Sequence, residues 1–162
     1  MARGKSPKTQ GDRLVSENRR ASFEYYLEDK FEAGLVLIGS EARSLREGSA
    51  DLSDAWIDVD RRGEAWVKML RIPLLKHAAF GHIADRPRKL LLHREQIDKL
   101  RGLRERDGMT LIATKCYFKN NRAKLEVAVA RGKKHYDKRA SIKEREADRE
   151  ARVAMQRGRR GP

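Results

Sequence analysis

The densest chemistry in this sequence is cationic and aromatic. Gly132-Lys133-Lys134-His135-Tyr136-Asp137-Lys138-Arg139 places four cations and two planar rings where a strand pattern ends and a charge-rich segment begins. Ammonium and guanidinium groups neutralise phosphates, and rings stack on unpaired bases. A solvated charge run has the same composition and is the plainer reading. Arg86-Pro87-Arg88-Lys89 puts three more cations on an extended backbone stiffened by Pro87, just before Leu90-Leu91-Leu92-His93. An ordinary solvent-facing edge strand is the alternative there. Arg43, Ser44 and Arg46 share a short helical stretch and are spaced to straddle a sugar-phosphate backbone.

Glu32-Ala33-Gly34 differs in kind. A carboxylate on a phosphate-binding surface repels its ligand, so Glu32 must accept hydrogen bonds from a base edge or orient a neighbouring arginine, unless it is a plain exposed strand residue. Trp56, Trp66, Tyr117 and Phe118 are assigned to packing. Asp51, Asp54, Asp58 and Asp60 carry enough charge for a magnesium-dependent nuclease, but they span a loop and a hairpin strand without a converging pattern. His77, His82 and His93 lack the spacing of a zinc or general-base site, and Cys116 has no nearby histidine in sequence. No catalytic residue, metal or cofactor is expected.

These residues need elements to position them. Phe23–Leu37 reads as one long strand bent near Gly34. Ser40 reads as the N-cap of a helix over Glu41–Glu47 that stops at Gly48. Alternation over Ala55–Val59 and Ala65–Met69 around Asp60-Arg61-Arg62-Gly63 predicts a hairpin, with Trp56 and Trp66 on its outer face. His77–Asp85 reads as a loop, Arg88–Leu92 as a strand, and Ile97, Leu100 and Leu103 as the buried stripe of a helix from His93 to Gly108. A second hairpin, Met109–Phe118 and Ala123–Ala130, turns at Asn120-Asn121, with Leu125, Val127 and Val129 inward and Lys124 and Glu126 outward. About six short strands and two helices predict a mainly β fold, a small antiparallel OB-like barrel whose closure removes exposed edges.

Charge divides the 162-residue chain the same way. Residues 1–20 hold six basic and two acidic groups, 21–130 twenty and seventeen, and 131–162 twelve and five, for a net +14. The expected organisation is a flexible basic arm over 1–17, a nearly balanced barrel over 18–132 that recognises by shape, and a basic tail over 133–162. Ala147, Ala151, Ala154 and Met155 fall at helical spacing, so the tail is expected to be disordered alone and helical on a partner. A single cysteine excludes an intrachain disulfide, and no apolar run reaches membrane-spanning length. A cytoplasmic monomer whose partner is nucleic acid is expected.

Six segments in order resemble the SsrA-binding protein family: Asn18-Arg19-Arg20-Ala21 leading to Glu24-Tyr25-Tyr26, Phe31-Glu32-Ala33-Gly34, Ser44-Leu45-Arg46, Arg88-Lys89-Leu90-Leu91-Leu92-His93, Tyr117-Phe118-Lys119-Asn120, and Arg131-Gly132-Lys133-Lys134 through Asp137-Lys138-Arg139. Phe23, Asn121 and Ala42-Arg43 depart mildly from that pattern. The resemblance implies binding of the tRNA-like domain of transfer-messenger RNA (SsrA RNA), and entry of the tail into the decoding centre and mRNA channel of the small ribosomal subunit. It implies RNA contacts at Asn18, Tyr25, Glu32, Gly34, Arg46, Lys89, Leu92, Lys124 and Gly132, and the cationic clusters add Arg19, Arg20, Arg43, Ser44, Arg86, Arg88, Lys133 and Lys134 as expected contacts. It implies ribosome contacts at Asp137, Lys138 and Arg139, and the composition and helical spacing of the tail add Tyr136, Arg145, Arg149, Arg152 and Met155 as expected contacts. The alternatives are a general ribosomal or RNA-chaperone protein of the same barrel class and a metal-dependent nuclease.

Overall fold

The computed structural model describes residues 13–76 and 81–159, so most of the expected arm and His77 lie outside the described residues. Seven strands and four helices follow in the order β1 (Arg13–Glu17), α1 (Ala21–Glu24), β2 (Tyr25–Leu35), α2 (Gly39–Glu47), β3 (Trp56–Val59), β4 (Ala65–Lys68), β5 (Arg88–Leu91), α3 (Arg94–Asp107), β6 (Thr110–Lys119), β7 (Arg122–Gly132) and α4 (His135–Arg159). The sheet is antiparallel in the order β1-β6-β3-β4-β5-β2-β7, and pairing of β6 with β7 closes it into a ring. Closure leaves β1 as an added strand on the outer part of β6.

Both hairpins turn as expected. Gly63 takes a φ of 79° after Asp60, and Asn120 and Asn121 take 52° and 62°, the paired left-handed conformation whose twist suits a two-residue hairpin. Inside the ring, Leu125, Val127 and Val129 of β7 meet Ala33, Ile57, Val67, Leu90 and Leu111, all buried, and Leu45 of α2 with Leu100 of α3 adds to the same core. The α3 stripe of Ile97, Leu100 and Leu103 packs as read, and Gly108 ends the helix at φ 60°.

Three differences have local causes. Arg13–Glu17, expected in the arm, is a strand: Val15 packs on the core, the Ser16 hydroxyl accepts the Ala50 N–H at 2.8 Å, and the Arg13 guanidinium donates to the Leu45 carbonyl at 2.7 Å. Too few apolar residues alternate there to reveal it. The irregularity of β2 falls between Leu27 and Lys30, not at Gly34. Helix α2 begins at Gly39, with Glu41 accepting the Ile38 N–H at 3.0 Å, while the Ser40 hydroxyl lies 3.0 Å from His82 Nδ1 instead of capping.

A one-residue slip on β6 shapes the outer surface. Leu111 and Ala113 face inward, but past a bulge at Thr114 the inward residues are Cys116 and Phe118. Strand β2 makes the matching slip after Leu27. Before the slips the outer face of β2, β6 and β7 is apolar, and Ala21 of α1 covers Ile112, Ala128, Ala130, Tyr25 and Leu27 in a small second core. After them it carries Lys30, Glu32, Lys115, Tyr117, Lys119, Lys124 and Glu126. A bulge thus turns a buried face into a charged one.

Candidate nucleic-acid interface

Glu32 sits at the middle of that charged face. Gly34 on the same strand stands between Leu91 of β5 and Lys124 of β7 in register. A Cβ on Gly34 would lie 3.1 Å from the Leu91 Cβ, so glycine lets β5 and its side chains come close. Lys89 of β5 lies opposite Trp66 and pairs with Glu64 at 3.1 Å. Together Glu32, Lys89, Leu92 and Lys124, with Leu91, His93 and Gln96, line a groove of about 580 Å³. Sequence-separated residues from β2, β5, β7 and the start of α3 therefore share one site.

The carboxylate in this groove is held as an anion. Tyr117 donates its hydroxyl hydrogen to Glu32, and Lys119 lies 3.5 Å away. The tyrosine bond, with Lys119 and Lys124, keeps the Glu32 carboxyl below its ordinary value against the opposing effect of burial, and burial with Glu32 pushes the Tyr117 phenol up. An ionised, oriented acceptor flanked by lysines suits a base edge beside a phosphate. Tyr117 and Lys119 were not among the expected contacts. The inward Cys116 and Phe118 turn Tyr117 and Lys119 outward, a phase set by the bulge at Thr114 and not readable from the local sequence.

A second group gathers at the β6–β7 turn. The Arg46 guanidinium lies 4.9 Å from the Phe118 ring centroid and donates to the Asn121 carbonyl at 3.2 Å, while Arg43 pairs with Glu47 at 3.2 Å. Arg46 is exposed and available to phosphate. Ser44 is not: it is buried and its hydroxyl donates to the Pro73 carbonyl.

Arg88 is the clearest correction. Its side chain is 0% exposed and ion-paired with the equally buried Glu41, and it donates to the Leu70 and Ala84 carbonyls. Arg86 pairs with the same carboxylate and is 30% exposed. Burial works against charge on Glu41, but hydrogen bonds from Arg86, the Ile38 N–H and Arg88 outweigh it and hold the carboxyl below its usual value. Arg88 therefore ties α2 to β5 and the preceding loop and presents nothing to RNA.

The remaining expected residues flank the helices. Asn18 spends its amide on the Leu52 and Ala113 carbonyls at 3.2 and 3.3 Å, fixing the turn that exposes Arg19 and Arg20. Tyr25 is half-buried in the small second core, opposite Gly132. Lys133 lies 4.9 Å from the Tyr26 ring centroid and donates to the Ser22 carbonyl at 3.0 Å, whereas Lys134 is exposed. Asp137 accepts the Lys134 N–H at 3.4 Å, and Lys138 and Arg139 follow on α4. The Tyr136 side chain lies outside what is described. Arg149, Arg152 and Met155 are exposed on α4, Met155 at 71%.

Three of the four aspartates, Asp51, Asp58 and Asp60, are already engaged. Asp58 pairs with Lys68 and Arg104, Asp60 accepts from the Trp66 indole at 3.1 Å, and Asp51 accepts from Ser53 at 2.6 Å. Among the described residues no set of three metal-ligating side chains converges. A cationic face built around one fixed acceptor is a recognition surface for a polyanion, and the class it defines is a nucleic-acid-binding module.

Comparison with known proteins narrows that class. The SmpB protein family model matches residues 15–157. An SsrA-binding protein of Sorangium cellulosum is 49% identical over 151 residues, covering 93% of each chain. One from Thermobifida fusca is 48% identical over 161 residues, covering 98% of this chain and all of its own. Among solved structures, a chain described as "tmRNA-SmpB: a journey to the center of the bacterial ribosome" matches with a TM-score of 0.63 and 36% identity, over 75% of this chain and 85% of that one. The chain belongs to the SmpB family.

Proposed function

We propose that this protein binds the tRNA-like domain of transfer-messenger RNA and delivers it to stalled ribosomes for trans-translation. It makes and breaks no bond: it acts in the cytoplasm as a monomeric, cofactor-free RNA-binding module. The supporting observation is the groove in which Glu32, fixed by Tyr117, is flanked by Lys89 and Lys124. Such a site reads a folded RNA through one acceptor and a few phosphates. The names of the relatives and of the matched complex agree with this reading.

The body over 18–132 binds the RNA, and the tail over 133–162 enters the decoding centre and mRNA channel. Past Ser141 every α4 residue whose exposure is described is exposed, leaving Arg149, Arg152 and Met155 free for ribosomal RNA. Purifying the tagged chain from cells and sequencing its RNA tests the reading. Enrichment of transfer-messenger RNA far beyond its cellular share is expected. Recovery of ribosomal and messenger RNA in proportion to their abundance would favour a general RNA chaperone and overturn the proposal.

A further inference from the structure

The slips in β2 and β6 deliver Lys30 and Lys115 to a second recess, of about 390 Å³, at the other end of the charged face. Its wall also includes Arg19, from the turn after β1, and Arg145, ten residues past the start of α4. These four cations face two carboxylates, Glu17 and Glu126. Glu126 is already engaged, pairing with Lys30 at 3.4 Å and accepting from the Thr114 hydroxyl at 2.8 Å. Glu17 and Glu126 neighbour Lys115 in register, yet neither lies within ion-pair distance of it. The Arg19 and Lys115 side chains have no hydrogen-bond or ion-pair partner among the described residues.

Arg145 is held at this recess by the body. Its guanidinium lies 5.3 Å from the Phe23 ring centroid and donates to the Ser22 hydroxyl at 3.3 Å. Lys133 fastens the same junction, donating to the Ser22 carbonyl and to the Ser141 hydroxyl, each at 3.0 Å. A cation on an otherwise solvent-bathed helix is thus fixed beside Lys115 on β6 and Arg19 in the turn after β1, neither of which has a side-chain partner among the described residues.

We propose that Arg19, Lys30, Lys115 and Arg145 form one seat for a phosphodiester of the bound RNA, so that the first turns of α4 assist the RNA-binding body before the tail continues to the ribosome. The inference rests on the proposed RNA function. The occupant is a backbone phosphate because the recess offers excess positive charge without an aromatic platform among its lining residues.

The test is a double-mutant cycle on the full chain with Lys115→Gln and Arg145→Gln, read as affinity for the tRNA-like domain across salt concentrations. Each single change is expected to weaken binding about five- to tenfold at 0.1 M salt and to reduce the salt slope by about one, the size of one phosphate contact. Two residues on one seat couple, so the double variant is expected to lose clearly less than the product of the two single losses. Lys143→Gln, on an exposed neighbouring position of α4, is expected to bind like the unaltered chain. Unaltered binding by either single variant, or fully multiplying losses, overturns the shared seat. If Lys89→Gln still weakens binding in that case, the function stands and only the seat falls. Failure of the unaltered chain to bind the RNA overturns both.

Discussion

Tyr117 on β6 reaches across β7 to donate its hydroxyl hydrogen to Glu32 on β2. This bond is the largest reason the Glu32 carboxyl lies below its ordinary value of 4.5. A carboxylate lowered by folding stabilises the native state above its unfolded value, and that contribution is lost as pH falls through the folded value. Tyr117→Phe is expected to move the Glu32 titration back toward 4.5 and to bring the acid loss of stability to higher pH. An NMR titration of the Glu32 carboxyl carbon reads the first effect directly. An unchanged midpoint would show that the lysines alone hold the charge.

Glu41 is the keystone of the opposite side. Glu41→Ala leaves the Arg88 guanidinium buried without its counter-charge, which is expected to cost about 3–5 kcal/mol in denaturant unfolding. Replacing both, as Glu41→Leu with Arg88→Met, is expected to recover a large part of that loss, since the remaining charge is gone. Because Glu41 is also held low, the stability it brings is present above 4.5 and lost as pH falls through its folded value.

Cys116 is fully buried in the ring, and burial pushes its thiol up to about 12. A neutral, enclosed thiol is a poor nucleophile. In native buffer it is expected to resist a thiol-reactive disulfide reagent for as long as the protein stays folded, and to react once denaturant is added. Rapid labelling of the folded chain would mean that β6 opens locally.

Proline and aspartate in the outer part of α4 separate folding from action on the ribosome. Ala151 and Met155 are exposed and remote from both cores. Ala151→Pro with Met155→Asp is expected to leave the melting temperature and RNA affinity nearly unchanged while abolishing peptide tagging on stalled ribosomes, because proline costs a helix about 3 kcal/mol and aspartate repels ribosomal phosphate. Normal tagging by this variant would remove the role assigned to the tail.

The sequence made the ring legible where alternation was regular. Leu125, Val127 and Val129 announced their inward face, and Asn120-Asn121 their turn. It hid what depends on a partner strand. The slip at Thr114 reverses which residues of β6 face out, yet nothing in the local alternation distinguishes it from a continuous strand. Arg86-Pro87-Arg88-Lys89 looks like one exposed basic run, but the partner of Arg88 is 47 positions away on α2. Only folding reveals that Arg88 belongs to the core and Lys89 to the groove. The groove residues Glu32, Lys89, Leu92 and Lys124 were legible as a list through family resemblance, and Tyr117 was missed because aromatic residues on strands usually pack.

The most direct measurement compares Glu32→Ala with Glu28→Ala for affinity to the tRNA-like domain at one salt concentration. Both residues are on β2, and Glu28 lies 3.5 Å from Arg131 in an exposed pair. Each change removes one negative charge, so general electrostatic attraction alone would tighten both complexes equally. A fixed acceptor that reads the RNA requires instead that Glu32→Ala bind about tenfold or more weakly, while Glu28→Ala binds as well as the unaltered chain. Equal or tighter binding by Glu32→Ala would contradict the account.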